Sequence, residues 1–309
     1  MLKVALIFVL AAHLMAANFA TAGPFFCLWL QRRQMPLAVG LASWSMGSLG
    51  AAMVLGLAAV GLLAIGYPGP LAAGFGSVPE SRLWFGVVEL VFYFACLAGY
   101  LAVARRSSDA SRGRRWTLVV LALLAGTDLA YHFPPLFAVI GIHTLRPESA
   151  APPSFLAAML EPEALALALH FLLASAVVGG IVVAWLAAER GVVRVAGRVA
   201  LAATVCQFAS GAWLLFAISH KSRDALLGDN LLGTLLFGAA VVGSVLLLHK
   251  LAEIACGDGE RRETGIAAAW LAAVIVSMTA AQQVVRFAVL DLRASQKTMV
   301  QRPLFAELP

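Results

Sequence analysis

His13-Leu-Met-Ala-Ala-Asn-Phe-Ala-Thr-Ala-Gly23 sits within an apolar run that ends at Gln31-Arg32-Arg33. A looser second copy, His170-Phe-Leu-Leu-Ala-Ser-Ala-Val-Val-Gly-Gly180, sits within a later run that ends at Glu189-Arg190. Each copy has a histidine inside an apolar segment, a glycine ten residues on, and an arginine-bearing end a turn or two beyond that. About 20 apolar residues in a helix cross the ~30 Å hydrocarbon layer of a bilayer. Both copies therefore read as membrane-crossing helices. An ionisable side chain inside such a helix is a functional-site candidate, because lipid penalises it.

The rest of the chain agrees. Of its 309 residues, 61% are hydrophobic and 12% charged, against about 25% charged in a soluble domain. Apolar runs long enough to span a bilayer fall at about 4–30, 37–66, 82–104, 116–139, 163–188, 194–219, 229–250 and 265–290. The expected fold is an all-α membrane protein with eight transmembrane helices. The formal charge of +6 comes from residues in short connectors, where they set topology. The lipid bilayer is the expected surroundings and nucleic acid is not an expected partner. The opening run, from Lys3, resembles a secretory signal, but it continues without a polar break to Leu30 and reads as a retained helix. Cys27, Cys96, Cys206 and Cys256 are scattered, with no CxxC or CxxCH spacing. Covalent c-type haem and structural zinc therefore have no sequence support.

Arginines and lysines give the orientation. Arg32, Arg33, Arg105, Arg106, Arg112, Arg114, Arg115, Arg190, Arg194, Arg198, Lys250, Arg261 and Arg262 fall in alternate connectors. The intervening connectors hold only Arg82, Arg146, Lys221 and Arg223. The richer set belongs in the cytoplasm. Both termini are then outside, periplasmic in a bacterial inner membrane, with Lys3 the one dissenting charge. Ser48-Leu-Gly-Ala51 resembles Ala209-Ser-Gly-Ala212, and Phe137-Ala-Val139 resembles Phe287-Ala-Val289. The expected organisation is two pseudo-repeated four-helix bundles, residues 1–145 and 146–309. A Pro-rich connector at about 140–162, with His143, Arg146, Pro147, Pro152 and Pro153, is read either as a cover for a site or as a plain linker.

At 1.5 Å per helical residue, His13, His132 and His170 lie at similar depth toward the outer face, with Gln282, Gln283 and Arg286 near them. His220 borders this layer. Membrane bundles hold haem b with imidazoles from facing helices. His13, His132 and His170 are accordingly read as ligands of haem iron. His13 and His132 bracket one haem, His220 is the nearest partner for His170, and Gln282 and Arg286 face the cofactor. Interhelical hydrogen bonding and a proton or ion path are the competing readings of the same histidines. Asp128, one turn inward from His132, is placed to fix its tautomer or relay a proton. Glu89, deep in the third segment, is read with Asp128 as a proton path, beside the alternatives of a site-facing hydrogen bond or a neutral structural residue.

With His13, His170, Glu89 and Tyr131-His-Phe-Pro-Pro135 in these places, the sequence resembles subunit I of the cytochrome bd quinol oxidases. The resemblance implies one or two haem b groups, electron transfer in a respiratory complex, and a quinone as a further ligand. Departures are equally clear. The connector from Ser219 to Asp229 is far shorter than the family's quinol-binding loop, and the seventh segment has no methionine to act as a ligand. The late glutamate ligand, the Gly-Arg-Gln-Pro-Trp motif and the ninth helix are also missing. The expected role is therefore an electron-transfer subunit rather than a complete oxygen-reducing enzyme. It would pass electrons between the quinone pool and periplasmic partners such as c-type cytochromes, beside other subunits of a redox complex. A haem-free quinone-interacting anchor of the polysulfide-reductase type and a proton-coupled transporter are the alternatives.

Overall fold

Where apolar sequence must satisfy its own backbone polar groups in lipid, helix is the available answer. The computed structural model describes residues 1–106, 111–145, 154–257 and 260–300, the last as backbone alone beyond residue 291. Its helices are α1 (Leu2–Leu30), α2 (Met35–Gly66), α3 (Pro68–Gly76), α4 (Glu80–Arg106), α5 (Arg112–Tyr131), α6 (Phe133–His143), α7 (Phe155–Met159), α8 (Pro162–Leu186), α9 (Arg190–Ala217), α10 (His220–Asp224), α11 (Leu231–Cys256) and α12 (Arg261–Val300). A π turn at Ala225–Asp229 leads into α11. Eight stretches are long and apolar enough to cross a membrane, the fourth being Arg112–His143 and the last Arg261–Asp291. The protein is a multi-pass membrane protein. Arg146, Pro147, Pro152 and Pro153 of the Pro-rich connector lie outside the described residues.

Helices α1, α2, α4 and α5 close one ring by packing α1 on α2, α2 on α4, α4 on α5 and α5 on α1. Helices α8, α9, α11 and α12 close a second ring in the same order. The rings meet where α1 packs on α8 and α12, and where α6 packs on α8.

Small residues allow this closeness, as expected where lipid gives no hydrophobic drive for helices to associate. A Cβ on Gly23 would come within 1.8 Å of Ser45 Oγ in α2, and one on Gly180 within 2.8 Å of the Ala196 carbonyl in α9. Pro24 sits inside α1 and lacks the N–H that would bond the Ala20 carbonyl. Tyr93 of α4 supplies the missing donor, its hydroxyl 2.7 Å from that oxygen. Helix α1 therefore continues through Gly23-Pro24 without interruption.

The fourth span is interrupted instead. α5 stops at Tyr131 and α6 starts at Phe133, with His132 at the joint and Pro134 and Pro135 opening α6. Neither proline can donate to the preceding turn, so the rod bends. α6 continues against α3, α7 and α8.

The arginine-rich end is tied by side chains that cap helix C-termini, where unpaired carbonyls and the helix dipole favour cations. Arg114 of α5 donates to the carbonyls of Val103 and Ala104. Arg194 and Arg198 of α9 donate to those of Gly257 and Ala255. The contiguous buried core fills this half of the molecule, from Phe19 to Leu30 on α1, Tyr93 to Tyr100 on α4, Val177 to Ala187 on α8 and Val192 to Ala203 on α9. At the opposite, far end only two small clusters remain, one around Val139 and one around Leu6 and Phe287.

Candidate functional site

The predicted polar layer falls where the contiguous core stops. His13 lies on α1 beyond Phe19, and Glu89 lies on α4 beyond Tyr93. His170 lies on α8 beyond Val177, and Ser210 lies on α9 beyond Ala203.

His13 is half-buried, with Nδ1 2.7 Å from the Ala52 carbonyl of α2. A carbonyl oxygen can only accept, so the proton is on Nδ1 and Nε2 keeps its lone pair. Gly56, one turn further on, leaves room for the ring: a Cβ there would meet His13 Cε1 at 3.0 Å.

His170 repeats the arrangement on α8. Its Nδ1 is 3.0 Å from Ser210 Oγ of α9, and that hydroxyl donates onward to the Gln207 carbonyl at 3.2 Å. The serine therefore accepts from Nδ1–H, which again leaves the lone pair on Nε2. Gly211 lies beside this ring, as Gly56 does beside the first.

His132 is set more deeply. It is 3% exposed, and its Nδ1 is paired with Oε2 of Glu89, itself 8% exposed. Phe85 and Phe133 pack around the imidazole. His132 Nε2 is buried and has no hydrogen-bond partner among the described residues. The carboxylate that fixes this tautomer is Glu89 of α4 rather than Asp128, the sequence candidate. Asp128 stays half-buried within electrostatic reach of Glu89, and its Oδ2 has no hydrogen-bond partner among the described residues.

The remaining candidates are dispersed. No hydrogen bond or ring contact among the described residues joins His13, His132 and His170 to one another. His220, expected to partner His170, is exposed on α10 with Nδ1 against Arg223. Because that nitrogen accepts from the guanidinium, the proton of the neutral ring lies on Nε2, which removes the lone pair a ligand would need. Gln282 is exposed and faces away from the interior, and Gln283 is the buried one. Arg286 reaches across to α6, donating to the Gly141 carbonyl at 3.0 Å and to Thr144 Oγ1 at 2.7 Å. His143, assigned from sequence to the Pro-rich connector, ends α6 and is 5% exposed. Tyr131 faces outward, and His249 is exposed beside Glu253.

Sequence reasoning missed the pairing of Glu89 with His132, the burial of Gln283 and the two anchors Ala52 and Ser210. Only Ser210 carried a signal, as the polar residue in the stretch resembling Ser48–Ala51.

Among the described residues no three His, Cys, Asp or Glu side chains gather as a metal site. The donor set instead consists of single imidazoles with Nδ1 already engaged, which suits the axial position of a metal carried in a macrocycle.

No protein-family model and no curated protein matches the chain. Among solved structures it is similar to bd oxidase from Geobacillus thermodenitrificans, with a TM-score of 0.60 at 14% identity. The match covers 98% of this chain and 97% of that one. The fold is therefore that of a bd oxidase chain, and the correspondence runs nearly end to end.

Proposed function

We propose that the protein is an integral-membrane haem b electron-transfer subunit of a bd-like respiratory complex. The observation that carries this reading is the paired anchoring of His13 and His170. Each imidazole is fixed through Nδ1 to the next helix of its own ring, beside a glycine, at the level where the apolar core ends. An Nδ1–H bond to a fixed acceptor orients the ring and raises the basicity of Nε2. Haem b, when bound, supplies one-electron oxidation and reduction.

His13 and His170 would hold the haem iron through Nε2, and the two rings are repeats of one plan, residues 1–145 and 146–309. His132 and Glu89 form a buried imidazole–carboxylate pair that holds a proton at Nδ1, with Asp128 one turn away as the next acceptor. His132 keeps Nε2 available either to a cofactor in the first ring or to an incoming proton. The arginine-rich end faces the cytoplasm of a bacterial inner membrane and both termini face the periplasm, following the charge rule for connectors. Electrons pass between quinone and periplasmic redox partners, c-type cytochromes among them, within a complex of several subunits.

The test is the visible spectrum and haem content of the purified subunit and of His13→Ala/His170→Ala. The reading predicts a b-type spectrum in the parent and its loss in a variant that stays folded in detergent. A folded parent without haem would reject it and favour the haem-free quinone anchor.

A further inference from the structure

Asn18 of α1 and Ser175 of α8 are each 3% exposed, and the serine hydroxyl donates to Asn18 Oδ1 at 2.8 Å across the junction of the two rings. They stand 157 residues apart in the chain, the offset that also separates His13 from His170. Each sits five residues past the histidine of its own copy, so the two occupy one position of the internal repeat. The next turn behaves alike. Ala22 and Gly179 keep the same offset, and a Cβ on Gly179 would come within 2.7 Å of the Ala22 Cβ. At the arginine-rich end Gln34 donates to Glu189 at 3.2 Å, an offset of 155 residues.

An offset that holds from turn to turn means that α1 and α8 run parallel. Contact of a position with its own equivalent belongs to a twofold interface, in which one patch faces itself. Only positions beside the axis can pair in this way. The histidines, five residues earlier, lie about 140° round each helix from these contacts. Each accordingly reaches a helix of its own ring, at Ala52 on α2 or at Ser210 on α9.

We infer that Asn18 and Ser175 mark a pseudo-twofold axis along the membrane normal, and that their hydrogen bond fixes the register of one ring on the other. The axis rests on the two-ring repeat proposed above and owes nothing to haem. Around the pair the junction is apolar, with Ala22 and Phe26 packed on Gly179. A buried polar pair in an apolar helix interface resists slippage, because a slip parts the two groups where no water replaces the bond. A slip of one turn would set Asn18 against Gly179, which has no side chain to answer it. Ser175 also lies 3.0 Å from the Phe171 carbonyl of its own helix, so the asparagine is the partner that senses the slip. The same slip would move His13 about 5.4 Å in depth relative to His170. Asn18 and Ser175 are thus positioning residues for the two anchored imidazoles.

The experiment exchanges the pair in the full-length protein, with the exposed Cys206 and Cys256 replaced by serine. Gln34→Cys/Glu189→Cys reports the register through the yield of a short thiol-to-thiol crosslink, read by mass spectrometry of the linked peptides. Asn18→Ser alone leaves two side chains too short to meet, and Ser175→Asn alone crowds two amides at the axis. Each should lower the yield about threefold, the population shift carried by one hydrogen bond between membrane helices. Asn18→Ser/Ser175→Asn should restore the parental yield, because partners on a twofold axis can trade places. An exchange variant no better than either single change would overturn the axis, and an unchanged yield in both single variants would overturn the register role. Should the single variants fail to fold, the exchange decides: a folded protein with parental yield supports the inference, and failure to recover it overturns the inference. Haem is not read in this experiment, so a haem-free parent and a failed exchange are separate results.

Discussion

The two helical rings share a plan and differ in where they keep their polar groups. In the first, Glu89 and His132 face each other across α4 and α5, sealed by Phe85 and Phe133. In the second, the corresponding pair α11 and α12 has no buried ion pair at that level among the described residues. Its polar groups, Gln283 and Arg286, sit on α12 and reach toward α6, the continuation of the first ring's fourth span. Both rings anchor a histidine through Nδ1, one to a backbone carbonyl and the other to a serine hydroxyl. The difference teaches that the first ring seals its polar pair inside, whereas the second turns its polar groups toward the junction between the rings.

The largest effect should come from breaking the buried pair. Glu89→Leu leaves the buried His132 imidazole without its acceptor and should cost about 3 kcal/mol, the upper end of the penalty for orphaning a buried hydrogen-bonding group. Thermal unfolding in detergent would measure it. The double change Glu89→Leu/His132→Leu should recover much of that loss, because two apolar groups replace two polar ones. A double variant no better than the single would mean the pair is not the unit described.

Close approach of helices offers a sharper comparison. Gly180→Ala drives a methyl into the Ala196 backbone, and Gly23→Ala drives one into the Ser45 side chain. Each should cost about 1–3 kcal/mol. Ser45→Gly should restore Gly23→Ala, whereas no side-chain change on α9 removes the Ala196 carbonyl. Equal rescue at both sites would contradict the packing described for the rings.

Next comes the contrast between the two histidine anchors. Ser210→Ala removes the acceptor of His170 and leaves that of His13 untouched. On the haem reading it should lower cofactor affinity at the second site about tenfold, as loss of a second-sphere partner usually does, while the first site keeps its own. Haem titration with resolved stoichiometry would detect this, and equal weakening of both sites would break the assignment.

The smallest expected change is Tyr93→Phe. It removes the donor that answers the Ala20 carbonyl freed by Pro24, for about 1 kcal/mol. Adding Pro24→Ala restores the helical donor and should make the tyrosine change nearly neutral.

These contrasts also mark what the sequence could carry. The eight spans were legible because lipid forces long apolar runs to be helical, and the expected bounds fall within six residues of the observed ones. The break at His132 was not read, although Phe133-Pro134-Pro135 is in plain view, because hydropathy runs through it unchanged. Conversely, Gly23-Pro24 holds two helix-breaking residue types and is continuous, since a tyrosine from another helix supplies the missing bond. The depth of His13, His132 and His170 could be counted from residue rise, but their partners depend on which helices adjoin. Glu89 and His132 lie 43 residues apart, and no local pattern links them. Gln282 was chosen over Gln283 because α12 is apolar around most of its circumference, which hides its rotational phase. That His143 is buried follows from the packing of α6 on α8, which has no signature within α6 itself.

The central claim is that the anchored imidazoles of His13 and His170 present Nε2 to haem b. Its most direct test is a reduced-minus-oxidised spectrum of the purified subunit with haem counted per chain, beside His13→Ala/His170→Ala. The account predicts a b-type difference spectrum with one or two haems per chain, lost in the double variant while its helical content and thermal transition persist. A folded parent with no haem, or a double variant that keeps its full complement, would contradict it.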